Sequence, residues 1–191
     1  MVETDFEYKI QEWSREIDKV TEDFKNRFEG LSLEMLNWKF SSGKWSIAQN
    51  MDHLIVINRT YFPVISALKA GTYQTPVISK IPAIVSFFGK AVLKASEPTR
   101  RKKRRTLLIW EPSQTQFTNE VFEKFADHQE ELKKEITGSI ELLRNGAIVS
   151  SPALRLVVYT LEMAFEIIVS HEKRHLAQAT EVYDLLDAQF K

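Results

Sequence analysis

The sequence predicts an all-α protein, a four-helix bundle with a long connection between its second and third helices. Four segments repeat large apolar residues every three or four positions, which is the period of an amphipathic helix. The 191 residues include only six glycines and six prolines, too few for a sandwich of many short strands. Because four such helices bury their apolar stripes best against one another, we expect residues 1–191 to form a single domain.

The first two helices are predicted from their apolar stripes and their end signals. The first helix ends at Gly30, and its stripe consists of Phe6, Ile10, Trp13, Ile17, Val20, Phe24 and Phe28. The second helix begins at Ser46, which stands three residues before Gln49 as a capping box requires, and it continues to Gly71. Pro63 interrupts the second stripe, so we expect a kink or a local break there.

A long connection and two further helices complete the predicted bundle. Residues 71–113 contain four prolines, and we interpret them as a connection that carries one or two short elements. The third stripe runs from Phe117 to Leu143, and the fourth runs from Leu156 to Leu185.

The absence of cysteine excludes disulfide bonds, thiolate metal sites and cysteine nucleophiles. It also fits a reducing compartment. The N-terminal residues lack the basic and apolar regions of a signal peptide, and no apolar run reaches the roughly 20 residues needed to cross a bilayer. We therefore expect a cytoplasmic protein.

The strongest charge feature is a run of six consecutive basic residues, Arg100–Arg105. The formal net charge is zero, with 26 basic and 26 acidic residues, so the rest of the chain carries a net charge of −6. Such a run can bind nucleic acid, an anionic membrane or an acidic substrate. A solvated loop that balances the acidic remainder is the favoured alternative, because no nucleic-acid-binding motif accompanies the run. Nucleic acid and membranes are therefore not expected partners.

His171 and His175 are predicted to project from one face of the fourth helix. They are four residues apart, about 40° around a helix, and they occupy positions of its apolar stripe. A buried imidazole without partners costs about 1–3 kcal/mol, and a shared metal ion would satisfy one nitrogen of each ring. Hydrogen-bonded structural histidines are the alternative, and the spacing alone leaves both interpretations open.

The segment from His171 to His175 also matches the H-E-x-x-H pattern of zinc proteases, but its context does not fit that class. The nearest downstream carboxylate, Glu181, lies about 240° around the helix from His175. In the extended protease pattern, Gln178 stands where a glycine is required and Glu181 where a histidine is required. We therefore expect the third metal ligand to come from another helix.

The start of the second helix supplies a histidine for this purpose. Its pattern, W-S-x-x-(Q/E)-x-x-x-H-L, together with H-x-x-x-H-x-x-Q in the last helix, resembles the DinB/YfiT-like superfamily over nearly the whole chain. The resemblance implies a four-helix bundle that binds a divalent metal, Zn²⁺ or Ni²⁺, through His53, His171 and His175. We also expect Gln178 and Gln49 to support these histidines without binding the metal themselves.

Three imidazoles with an open coordination position form a site of the catalytic type. The expected reaction is metal-dependent hydrolysis by an activated water, or S-transfer from a thiol, since thiolates bind zinc well. Some superfamily members resemble enzymes that use a low-molecular-weight thiol, so the expected substrate is a small molecule. Two alternatives are a non-catalytic scaffold that is stabilised by a structural metal ion and a protein that binds anionic surfaces through residues 100–105.

Three further residues are candidates for the site or its surroundings. Glu172 and Asp52 are the candidate acid–base groups, since each lies about 100° around its helix from a predicted ligand. A solvated carboxylate is the favoured interpretation of both. His128, on the third stripe, is interpreted as a structural or pocket histidine. A homodimer is expected, because aromatic residues are plentiful on the stripes and homodimers are common.

Overall fold

The computed structural model describes residues 2–99 and 106–189 and consists mainly of helices, with one small sheet. Four helices form most of the core, and they are α1 (Val2–Phe28), α3 (Ile47–Arg59), α6 (Glu120–Thr137) and α8 (Leu161–Gln189). Each of these four packs against two of the others, in the cyclic order α1, α6, α3, α8. The other helices are α2 (Leu33–Asn37), α4 (Phe62–Lys69), α5 (Pro82–Ser96) and α7 (Ile140–Arg144). This predominantly helical architecture agrees with the predicted fold class.

The second predicted helix has the expected start and the expected break. The Ser46 side chain accepts a hydrogen bond from the Gln49 backbone, and the Gln49 side chain accepts one from the Ser46 backbone, so the capping box is present. Helix α3 ends at Arg59 and α4 begins at Phe62. Pro63 therefore lies in the first turn of a new helix, where its missing N–H is not needed.

The third and fourth predicted helices have different bounds in the structure. Helix α6 ends before Gly138, and the separate helix α7 follows it. Strand β1 (Ile148–Ser150) pairs in antiparallel fashion with β2 (Val158–Thr160), whose β-branched and aromatic residues favour a strand. The predicted start of the last helix at Leu156 is wrong, because α8 begins only at Leu161, directly after β2.

The connection between α4 and α6 is folded against α8 by its longest element, α5. A Cβ atom at Gly89 would lie 2.8 Å from Met163 Cγ, so the glycine permits the close approach of α5 and α8. At the end of α5, the Arg174 guanidinium of α8 donates a hydrogen bond to the Ala95 carbonyl. The connection also contains two 3₁₀ helices, Val77–Lys80 and Leu108–Trp110.

The apolar core consists of two clusters that follow one another along α1, α6 and α8. One cluster includes Trp13, Leu132 and Phe165, and the other includes Phe24 and Phe125. On α8, residues 171–175 lie between the two clusters, and this is where the histidines are found. In the described ranges, no helix combines the length and the apolar character that a bilayer crossing requires.

Candidate metal centre

Three histidine rings from two helices converge at one point. His53 comes from α3, and His171 and His175 come from successive turns of α8. One ring nitrogen from each histidine lies within 4.8 Å of the corresponding nitrogens of the other two. The Nε2 atoms of His171 and His175 are 3.0 Å apart. The structure thus brings together the pair indicated by its spacing and the third histidine implied by the superfamily resemblance.

The second nitrogens of two rings are held by oxygen acceptors. His53 Nδ1 lies 2.5 Å from the Trp110 carbonyl oxygen, and His175 Nδ1 lies 2.8 Å from Asn50 Oδ1. Asn50 is itself oriented, because its Nδ2 donates to the Ser46 carbonyl. Since both acceptors only accept, each Nδ1 carries the hydrogen and each Nε2 presents a lone pair. In this tautomer Nε2 is available to coordinate a metal ion.

The three rings are held in the neutral form. Burial lowers the pKa of His53 to about 4, although the hydrogen bond to Trp110 opposes this shift. Burial also lowers the pKa values of His171 and His175 well below 6.5, and the other histidines of the cluster and Arg174 act in the same direction. Near neutral pH all three rings are therefore unprotonated, as metal coordination requires.

One side of the cluster is covered by the aromatic ring of Trp45. The Trp45 ring lies 4.5 Å from the His53 ring and stacks on His175 at 5.7 Å, measured between ring centroids. His53 and His175 are buried, whereas His171 is only partly buried. His171 is therefore the most exposed of the three rings.

A sequence model of the DinB superfamily matches residues 16–179, and this range includes all three histidines. The chain belongs to the DinB superfamily. The resemblance noted from the sequence is thereby confirmed for most of the chain. No curated protein and no solved structure is detectably similar to it.

In this DinB-superfamily chain, the expectation that Asp52 and Glu172 are solvated is wrong. Asp52 is buried and accepts hydrogen bonds from the backbone and the hydroxyl of Ser113, at 2.5 and 3.0 Å. Glu172 is 0% exposed and accepts hydrogen bonds from Asn58 Nδ2 at 2.6 Å and Gln129 Nε2 at 2.8 Å. Burial raises the pKa of Glu172 to about 7, although both amide donors oppose this shift.

Both carboxylates thus bind other parts of the protein. Asp52 fixes the end of the connection that follows Trp110, and Glu172 links α8 to α3 and α6. Within the described chain, the compact group of side chains that could hold a metal ion contains the three histidines and neither carboxylate. The arrangement of Glu172 differs from that of a zincin protease, in which the corresponding glutamate is the general base.

The remaining candidates lie outside the cluster. Gln49 closes the capping box and donates to the Gln114 carbonyl at 3.2 Å, so it supports the connection. Gln178 is half-buried on α8, beyond His175. His128 is fully buried on α6 and stacks on Phe62. The basic run at residues 100–105 lies outside the described residues.

Two groups that orient the ligands were missed by the sequence interpretation. Asn50 precedes His53 by three residues on α3, so the helical period could have identified it as a neighbour of the site. The Trp110 carbonyl belongs to the backbone of the connection and is brought to His53 by tertiary folding. A backbone acceptor of this kind has no residue-type signal in a sequence.

Proposed function

We propose that this protein is an enzyme that binds one divalent metal ion through His53, His171 and His175 and acts on a small molecule. The observation that carries the proposal is the convergence of three neutral imidazoles, with nitrogen atoms within 4.8 Å of one another. The Trp110 and Asn50 acceptors support it further, because they orient two of the lone pairs toward the common centre.

Zn²⁺ or Ni²⁺ is the proposed metal, since imidazole nitrogens suit both ions. Three protein ligands leave at least one coordination position for water or substrate, whereas structural zinc sites are usually closed by four protein ligands. The bound ion would supply Lewis acidity to a coordinated water or thiol. The incomplete burial of His171 is consistent with access to that position.

The proposed reaction is either hydrolysis or transfer of a low-molecular-weight thiol. Asp52 and Glu172 are each occupied by two hydrogen-bond donors, which makes them poor general bases for a hydrolytic water. A water or a thiol bound to the metal would each release its proton to solvent near neutral pH, because the ion lowers the pKa of either ligand. Neither reaction therefore depends on these two carboxylates.

The test begins with the metal content of protein purified without a polyhistidine tag. We expect about one Zn²⁺ or Ni²⁺ per chain, or uptake of one added ion. The Co²⁺-substituted protein should then develop a sulfur-to-metal charge-transfer band when a low-molecular-weight thiol is added. Failure to bind Zn²⁺, Ni²⁺ or Mn²⁺ would refute the proposal, and binding without a thiol band would favour the hydrolase.

A second candidate function, binding to an anionic membrane surface, is favoured by a separate observation. Large apolar side chains on both sides of the basic run are exposed, among them Val77 at 79%, Phe87 at 67% and Leu108 at 81%. Apolar and basic groups together suit the interface of an anionic bilayer. Sedimentation with phosphatidylglycerol vesicles would test this function. Phe87→Ser should weaken binding, whereas Leu156→Ser, at an equally exposed position, should not.

A further inference from the structure

A layer of buried polar side chains crosses the core beside the histidine cluster. The apolar pattern is interrupted between Ile55 and Tyr61, between Phe125 and Leu132 on α6, and between Val169 and Ala179 on α8. Within these gaps, Asn58, Gln129 and Glu172 are each at most 1% exposed. The polar layer, defined as these three residues, therefore separates the two apolar clusters.

Glu172 is the centre of the polar layer and joins three helices. One of its oxygens accepts from Asn58 of α3, and the other accepts from Gln129 of α6. Burying a carboxylate and two amides is unfavourable compared with packing apolar groups of similar volume. The best-established role of a buried polar group in a helical core is to select one alignment of the helices, as in coiled coils.

Two polar bridges join α3 and α8, and one of them belongs to the polar layer. Asn58 pairs with Glu172, and Asn50 pairs with His175, so the two helices run in opposite directions. Along α3, His53 lies between Asn50 and Asn58. The two bridges therefore attach the 172–175 segment of α8 to α3 on both sides of His53.

The histidine cluster is sensitive to the alignment that these bridges define. A rotation of α8 by about 10° would move a side-chain tip roughly 5 Å from the helix axis by about 1 Å. Metal–ligand distances tolerate deviations of only about 0.2 Å. Glu172 adjoins His171 in sequence, so a change in its two hydrogen bonds acts on the same turn of α8.

We infer that Glu172 is a positioning residue for the metal centre, and that its bonds to Asn58 and Gln129 set the rotation and register of α8 at which His171 and His175 meet His53. This inference rests on the proposed function, because it assigns a role toward the metal. Glu172 acts through the helix and does not touch the ion. The residue is thereby distinct from the general base of a metalloprotease.

The test compares Zn²⁺ affinities, by competition with a chromophoric chelator, and the absorption spectra of the Co²⁺ forms. Glu172→Leu removes both acceptors, and we expect Zn²⁺ binding about 10- to 100-fold weaker, together with altered Co²⁺ ligand-field bands. Glu172→Gln should bind within about threefold of the wild type. Its amide oxygen replaces one acceptor, and Gln129 can turn its Oε1, which has no partner in the described chain, toward the new amide.

The matched control is Asn37→Ala, which removes a buried amide whose hydrogen bonds involve neither the histidines nor the polar layer. Asn37 joins the carbonyls of Leu33 and Phe117, so its loss should destabilise the protein without changing the Zn²⁺ affinity or the Co²⁺ spectrum. If Glu172→Leu does not fold, Asn58→Leu and Gln129→Leu each remove one of the two donors, and each should weaken Zn²⁺ binding.

The outcomes separate this inference from the proposed function. A wild-type protein that binds no divalent metal would refute the proposed function. The positioning role alone would be overturned by a different pair of results. The wild type would bind metal, and the folded Glu172→Leu or single-donor variants would show unchanged Zn²⁺ affinity and an unchanged Co²⁺ spectrum. Equal weakening in the Asn37→Ala control would also overturn it, because the effect would then follow general stability.

Discussion

Replacing His128 by leucine should reduce the sensitivity of the fold to acid. His128 is 0% exposed, and neither ring nitrogen has a hydrogen-bond partner among the described residues. Burial lowers its pKa from 6.5 to about 4, and Arg59 acts in the same direction. The Glu131 carboxylate lies 4.0 Å from Nδ1 but is exposed to solvent, so it does not offset the burial.

The sign of the effect follows from the lowered pKa. Between pH 6.5 and pH 4 the unfolded chain binds a proton at His128 that the folded protein does not bind. The contribution to stability is therefore complete above pH 6.5 and is lost as the pH falls toward 4. At about 1.36 kcal/mol per pKa unit, this one ring accounts for a loss of about 2 kcal/mol between pH 7 and pH 5.

Urea unfolding of the wild type and His128→Leu at pH 7 and pH 5 measures this quantity. Both proteins are kept in EDTA so that metal binding does not contribute. We expect the wild type to lose about 2 kcal/mol more than the variant over this interval. At pH 7 the variant should be at least as stable as the wild type, because unsatisfied buried nitrogens cost about 1–3 kcal/mol. Equal losses in the two proteins would refute the reasoning.

Three further substitutions test the site and its surroundings. His53→Ala should weaken Zn²⁺ binding at least about 100-fold in a chelator competition. Circular dichroism in EDTA should show that this variant is folded, and a large loss of fold there would indicate a structural metal. Asp52→Ala leaves the Ser113 backbone N–H without its acceptor, and urea unfolding should show a loss of about 1–3 kcal/mol. Gly89→Ala places a Cβ 2.8 Å from Met163 Cγ, so we expect thermal unfolding to show a destabilisation of about 1–3 kcal/mol. An unchanged melting temperature would contradict the close packing of α5 on α8.

The features predicted correctly are those that depend on neighbouring residues. The capping box of Ser46 and Gln49 and the break near Pro63 follow from covalent geometry and from local hydrogen bonds. The pairing of His171 with His175 follows from the period of one helix. The strand before Leu161 was missed, because residues 158–160 become a strand only when residues 148–150 lie beside them.

The burial of the two carboxylates could not be predicted from the helical period. A helical wheel gives the direction of Glu172 relative to His171, but it does not identify the chain that lies in that direction. The partner Asn58 is 114 residues away in sequence. The solvated interpretation was reasonable for a carboxylate on a helix flank, and it failed because α3 and α6 cover that flank with amide donors.

The sequence by itself determined a helical protein, the stripes that form its core and a superfamily whose pattern includes the three histidines, since these depend on residue type and spacing. Only the tertiary structure decided how the histidines are oriented and what surrounds them. The Trp110 carbonyl, Asn50 and the bonds of Glu172 come from different parts of the chain. Their positions depend on how α3, α6 and α8 pack, and packing is a property of the whole fold.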